Sequence, residues 1–275
     1  MDDMNLIYGD CRDVMRELID NDVSVDLVVT SPPYDQLRNY EGTIEWNFDV
    51  FKEIADLLYQ IVDDGGVVVW VVNDATYNGS ETGTSFKQAL YFKEIGFRLH
   101  DTMIYQKSGI PFPETTRYYP SFEYMFVLSK GKPKSINLIR DKPNKSAGQL
   151  VCCNERQVDG SMKESNGRKI GRRMKEFGVR NNVWRYATGK GNSNKNPLAF
   201  NHPAIFPLDL AKDHIKSWSN EGDLILDPFM GSGTTGTACQ ELNRRFIGIE
   251  KVKEYYDLAN EIINDSQSSL EDFNG

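Results

Sequence analysis

The stretch 224-LILDPFMGSGTTGTACQEL-242 decides the fold. The apolar run Leu224-Ile225-Leu226 ends at Asp227, a glycine-rich turn follows, and helical spacing resumes near Thr234. Gly231, Gly233 and Gly236 satisfy G-x-G-x-x-G in the strand–turn–helix setting that gives the pattern meaning. Glycines let the backbone approach a ligand closely, and the N-terminus of a helix offers free N–H groups to an anion.

Outward from this loop, Glu250 stands 23 residues beyond Asp227, at the end of the next predicted strand, RFIGI. An acid at that place commonly takes ribose hydroxyls. Three readings compete. A phosphate-binding P-loop requires Gly-Lys-Ser/Thr, and the loop has no lysine. A nicotinamide site needs more sheet than the 25 residues after Glu250 can supply, so the neighbouring strands must come from the N-terminal half. S-adenosylmethionine keeps the adenosine and replaces pyrophosphate by an amino acid, whose amine Asp227 could take up.

The N-terminal half carries the second signal, 27-LVVTSPPYDQLRNYEG-42. An apolar strand runs into two prolines, which fix two φ angles and remove two backbone donors. Thr30 and Ser31 are held extended before them. The result is a rigid corner at a strand end, either a plain turn or a holding site. Strands are predicted at 5–8, 25–30, 66–72, 101–106, 122–128, 223–227 and 245–249. Helices are predicted at 11–20, 48–63, 84–95, 204–219, 234–243 and 251–264, and Asp63–Gly66 is predicted as a turn. The tail 265–275 is expected to fray. The alternation predicts an α/β protein with a doubly wound, mostly parallel, seven-stranded sheet. The C-terminal units join the N-terminal ones in space, and Asp10, Asp227, Glu250 and the Ser31–Tyr34 corner fall at carboxyl ends of strands.

The net charge of −8 argues against a polyanion until its distribution is read. Segment 140–195 holds fourteen Lys or Arg and five acids, a surplus of nine that leaves −17 on the rest. A basic insert on an acidic body is a polyanion footprint or a solvated charged loop. Its best contact candidates are Arg168, Lys169, Arg172, Arg173, Lys175 and Arg180, while Val183-Trp184 reads as an anchor of the lobe to the sheet rather than a stack on a base. The four cysteines, Cys11, Cys152, Cys153 and Cys239, form no Cys-x-x-Cys pair, and with three histidines they predict no metal site. No apolar run approaches the ~20 residues of a membrane span. The N-terminus lacks a signal-peptide layout, so a cytoplasmic protein is expected.

Together these motifs resemble the amino-methyltransferases of DNA, in the β permutation group. Thr30-Ser31-Pro32-Pro33-Tyr34 and Asp227-Pro228-Phe229-Met230-Gly231-Ser232-Gly233-Thr234 carry the likeness; Gly9-Asp10-Cys11 and Asn201-His202-Pro203-Ala204-Ile205-Phe206-Pro207 add to it. The resemblance implies a circularly permuted, Rossmann-like methyltransferase sheet. Residues 1–129 form its catalytic half, 130–200 an inserted target-recognition lobe and 201–275 the cofactor half. It implies S-adenosylmethionine as donor, S-adenosylhomocysteine as product and no metal. Asp10, Cys11, Thr30, His202, Phe206, Asp227, Pro228, Phe229, Gly231, Ser232, Gly233, Thr234, Thr235 and Glu250 line the cofactor. Asp10 meets the adenine amine, or is simply a helix N-cap; His202 touches cofactor, or is a loop histidine. Glu123-Tyr124 resemble a further family motif near the base pocket, or belong to the core.

The chemistry follows from the residue types. A base's exocyclic amine is a poor nucleophile because its lone pair is conjugated into the ring. Ser31 Oγ and the Pro32 carbonyl could accept its two hydrogens and favour a tetrahedral nitrogen; Pro33 stiffens the corner and Tyr34 stacks on a flipped-out base. Ring-carbon methylation needs a cysteine after proline, and no Pro-Cys occurs. Within the family Ser-Pro-Pro-Tyr resembles cytosine-N4 enzymes and Asp-Pro-Pro-Tyr adenine-N6 enzymes. Cytosine N4 in double-stranded DNA is the expected target. Adenine N6, RNA methylation and a non-catalytic DNA-binding subunit are the alternatives. A cognate restriction endonuclease and either a monomer or a homodimer fit the same reading.

Overall fold

A computed structural model describes residues 3–34, 46–109, 116–150, 154–164, 172–189, 193, 196–202, 205 and 207–274. Eight strands form the main sheet: β1 (Met4–Tyr8), β2 (Val25–Thr30), β3 (Val62–Val72), β4 (Arg98–Lys107), β5 (Phe122–Ser129), β6 (Val183–Tyr186), β7 (Leu224–Asp227) and β8 (Arg245–Glu250). Their order is β1-β8-β7-β2-β3-β5-β4-β6, and β5 alone runs antiparallel to its neighbours. The fold is therefore the doubly wound α/β sheet expected, with eight strands in place of seven. The unforeseen strand is β6, four residues inside a polar stretch. It pairs in parallel with β4, Val183 opposite Ile104 through Tyr186 opposite Lys107, and buries Trp184 and Tyr186.

The helices are α1 (Cys11–Asp20), α2 (Phe48–Ile61), α3 (Thr84–Glu94), α4 (Leu208–Trp218), α5 (Thr234–Glu241) and α6 (Lys253–Asn274). Asn47 caps α2, its Oδ1 accepting from Asp49 N and Val50 N at 2.9 Å, as an N-cap side chain should. Phe51, Ile54, Ala55, Leu58 and Ile61 then form one buried stripe at helical spacing. Opposite it, Val67–Val72 is buried without interruption, because helices cover both faces of a parallel sheet. Trp70 in this run donates from Nε1 to Gln88 Oε1 at 2.9 Å, so the core indole is satisfied.

Two boundaries differ from expectation for physical reasons. Asp63–Gly66 lies inside β3 rather than in a turn. The β2 register jumps from Val25↔Val62 to Leu27↔Val67, and Gly65 takes φ +78° to absorb the extra length. The last helix continues to Asn274, well past the fraying point expected at 265.

Residues Leu138–Asn181 form a compact unit separate from Met1–Asn137 and Asn182–Gly275. Its bounds lie inside the insert expected at 130–200. It contains two short antiparallel ribbons, Lys142–Pro143 with Phe177–Gly178 and Asn154–Arg156 with Met162–Glu164.

Candidate functional site

The sheet order reverses between β7 and β2. From there β7 leads outward through α5 to β8, and β2 leads the other way through α2 to β3. Doubly wound sheets bind ligands outside the strand ends at such a switch point. Here the two ends are tied together. Thr30 Oγ1 donates to Asp227 Oδ1 at 2.6 Å, across 197 residues of chain. Asp227 Oδ1 also accepts from Phe229 N at 3.1 Å, and its Oδ2 accepts from Thr235 Oγ1 at 2.7 Å. Thr235 Oγ1 further reaches Val29 O at 3.3 Å. Burial pushes the Asp227 carboxyl up to about 6, against the pull of these donors. The acid expected to meet the cofactor's amine thus has both oxygens engaged by the protein, where it holds the loop to β2.

The loop is shaped by its glycines. Gly231 has φ +53°, and a Cβ there would stand 3.0 Å from His202 Nε2. Gly233, at φ +82°, is the N-cap of α5 and has no side chain with which to cap the first-turn N–H groups. Gly236 is different: a Cβ there would meet Ile263 Cδ1 at 2.6 Å, so this glycine permits α5 to pack on α6. Pro228, Ser232 and Thr234 of the same motif are buried. Phe229 is edge-on to Trp46 with centroids 5.6 Å apart.

Glu250 ends β8, and its two oxygens accept from Gly231 N at 2.9 Å and Val252 N at 2.8 Å. Burial raises its pKa, and each oxygen retains a second lone pair. Asp10 lies at the neighbouring end of β1, where Gly9 N donates to Glu250 O at 3.0 Å. Asp10 is the N-cap of α1, accepting from Arg12 N at 3.0 Å, from the Arg12 side chain and from Lys251 Nζ at 2.9 Å. Those charged hydrogen bonds, Arg12 first, hold it well below the usual carboxylate range. Cys11 opens α1, and burial pushes its thiol up to about 12; Cys239 is likewise buried, with its thiol pushed well up. His202 is buried against Tyr255, centroids 4.4 Å apart, beside Gly231.

On the other side of the switch point, Pro32 and Pro33 are buried and Ser31 and Tyr34 half-buried. Ser31 Oγ lies 2.9 Å from Tyr34 Oη, and Tyr34 Oη donates to Glu123 Oε2 at 3.0 Å. Glu123 Oε1 pairs with Lys107 Nζ at 2.7 Å. Glu123 is therefore at the corner, not merely in the core. Lys107 and Trp46 carried no motif that placed them there.

Of the six basic candidates, Arg168 and Lys169 lie outside the described residues, as do Phe206, Cys152 and Cys153. Arg172, Arg173 and Lys175 are exposed on the 138–181 unit. Arg173 donates to Gly148 O at 2.7 Å, and Arg180 is held by Asp141 at 2.9 Å, which braces the unit internally. Among the described residues no cluster of His, Cys, Asp and Glu has metal-holding geometry, and no helix is long and apolar enough to cross a membrane.

The donor set fits S-adenosylmethionine: uncapped α5 N–H groups for its carboxylate, Glu250 for ribose hydroxyls, and a glycine turn that a Cβ at Gly231 would crowd. A doubly wound sheet with such a site at its switch point is the architecture of an S-adenosylmethionine-dependent methyltransferase. Residues 25–261 match the N6_N4_Mtase family, described as DNA methylase, and the chain belongs to that family of DNA amino-methyltransferases. The chain is 55% identical over 249 residues to the orphan methyltransferase M.BamHII of Bacillus amyloliquefaciens, covering 90% of this chain and 91% of that one. It is 30% identical to the Type II methyltransferase M.SmaI of Serratia marcescens, covering 94% and 90%. Its fold is similar to the crystal structure of the M1.HpyAVI–SAM complex, with a TM-score of 0.62 and 25% identity over 95% of this chain and 99% of that one.

Proposed function

We propose that this DNA methyltransferase modifies the N4 amine of cytosine, on a base swung out of the duplex. The observation that carries the base assignment is the serine of Thr30-Ser31-Pro32-Pro33-Tyr34, in a motif that resembles the cytosine-N4 type. When bound, S-adenosylmethionine supplies an electrophilic methyl carbon. The chain's residues supply position and polarity. Ser31 Oγ and the Pro32 carbonyl accept the two amine hydrogens. The buried prolines keep that carbonyl from turning away. Tyr34, fixed at its hydroxyl, presents its ring to the base. Glu250 holds the ribose, and the α5 N-terminus holds the carboxylate. Arg172, Arg173 and Lys175 engage phosphates, and the 138–181 unit is the target-recognition lobe. Similarity to an orphan methyltransferase supports activity without a cognate endonuclease.

The test is incubation with methyl-deuterated S-adenosylmethionine and duplex DNA, followed by digestion and nucleoside mass spectrometry. Labelled N4-methyldeoxycytidine is expected. Labelled N6-methyldeoxyadenosine would overturn the base assignment, and label found only in added RNA would overturn the substrate.

A further inference from the structure

The contacts behind Ser31 form a directed chain. An ionised carboxylate only accepts hydrogen bonds, so Glu123 Oε2 must take its hydrogen from Tyr34 Oη, 3.0 Å away. A phenol has one hydrogen. Tyr34 Oη therefore accepts in its other contact, and the donor across 2.9 Å is Ser31 Oγ. With its single hydrogen committed to Tyr34, Ser31 has lone pairs alone to offer a target amine. Lys107 Nζ, 2.7 Å from Glu123 Oε1, holds the far end of the chain. Lys107 ends β4 and Glu123 lies near the start of β5, so the antiparallel β4–β5 pair brings both to the edge where β2 ends.

We propose that Glu123, oriented by Lys107, is a positioning residue that sets the direction of this chain and so makes Ser31 an acceptor. The proposal rests on the reading that Ser31 accepts from the target amine. Reversing the chain would point the Ser31 hydrogen at an amine that also donates, and the two groups would repel at the reacting nitrogen.

Glu123→Gln performs that reversal at constant shape. Lys107 donates only, so it claims the amide oxygen, and the amide NH₂ is left facing Tyr34. Tyr34 then accepts from Gln and donates to Ser31. The expected result is a fall in kcat on the order of 10- to 100-fold, with KM for DNA and S-adenosylmethionine unchanged. In a Lys107→Met background the amide is free to turn its oxygen to Tyr34, so the same substitution costs less than it does beside Lys107. In a Tyr34→Phe background the link is already cut, and Glu123→Gln adds nothing.

The three paired comparisons, each normalised to its own background, are run alongside Ser31→Ala. Loss on Ser31→Ala with wild-type kcat for Glu123→Gln overturns the polarity proposal alone. An equal loss from Glu123→Gln in all three backgrounds also overturns it, since that is the behaviour of a structural residue. Full activity in Ser31→Ala overturns the underlying reading of Ser31 instead. If Glu123→Gln fails to fold alone, the Lys107→Met and Tyr34→Phe pairs still decide.

Discussion

Replacing Thr30 by valine removes one hydroxyl and almost no volume, at the point where the two halves of the chain are tied. The lost contact is a 2.6 Å hydrogen bond to Asp227 Oδ1, with Thr30 fully buried and Asp227 1% exposed. Water cannot replace the donor in so dry a place. A hydrogen bond to a charged group contributes about 1.5–3 kcal/mol, and the carboxylate left behind keeps only the Phe229 and Thr235 donors. Thr30→Val should therefore lower unfolding free energy by about 2 kcal/mol, measured by urea titration with tryptophan fluorescence. In a chain of this size that is a fall of roughly 4–8 °C in Tm. The same loss loosens the glycine loop against β2, so calorimetry should show S-adenosylmethionine binding about tenfold weaker. Thr30→Ser keeps the hydroxyl and should recover most of both effects. A Thr30→Val protein within about 0.5 kcal/mol of wild type, with unchanged cofactor affinity, would refute the idea that this bond holds the site together.

Asp227→Asn tests the buried carboxyl through pH. Its folded pKa of about 6 is raised above the unfolded value near 3.8, so the folded state holds the proton more tightly. Wild-type stability from this group is present below the unfolded pKa and is lost as pH rises toward 6. The stability of Asp227→Asn relative to wild type should then rise by up to about 3 kcal/mol between pH 4 and 7; a flat difference would refute the burial argument. On the 138–181 unit, Arg172→Ala with Arg173→Ala should weaken DNA binding and reduce the slope of log K against log salt by about two, leaving cofactor affinity unchanged. Unaltered DNA affinity in a fluorescence assay would remove these arginines from the interface.

The motifs made the centre of the fold legible because each combines a strand end with residues that punish other geometries. Asp227–Thr234 permits only a glycine turn into a helix, and Thr30–Tyr34 only a strand stopped by prolines. Continuous apolar runs such as Val67–Val72 marked buried parallel strands. β6 was not legible, because Val183–Tyr186 is four residues long, alternates buried with exposed and lies among polar loops. Its strand character comes from the β4 edge it completes, which is a tertiary cause. Asp63–Gly66 read as a turn because local glycine chemistry does not show that β2 continues alongside. At the site, the inward turn of Asp227 and the Tyr34–Glu123–Lys107 chain depend on contacts between distant segments, and no spacing encodes them.

Ser31, one residue beyond the Thr30–Asp227 tie, is the group proposed to meet the target amine beside the glycine loop. Single-turnover transfer of a labelled methyl group to DNA, measured for wild type and Ser31→Ala at matched cofactor occupancy, tests this most directly. The prediction is a loss of at least about 100-fold in the transfer rate with S-adenosylmethionine affinity intact. Transfer at the wild-type rate in Ser31→Ala would contradict it.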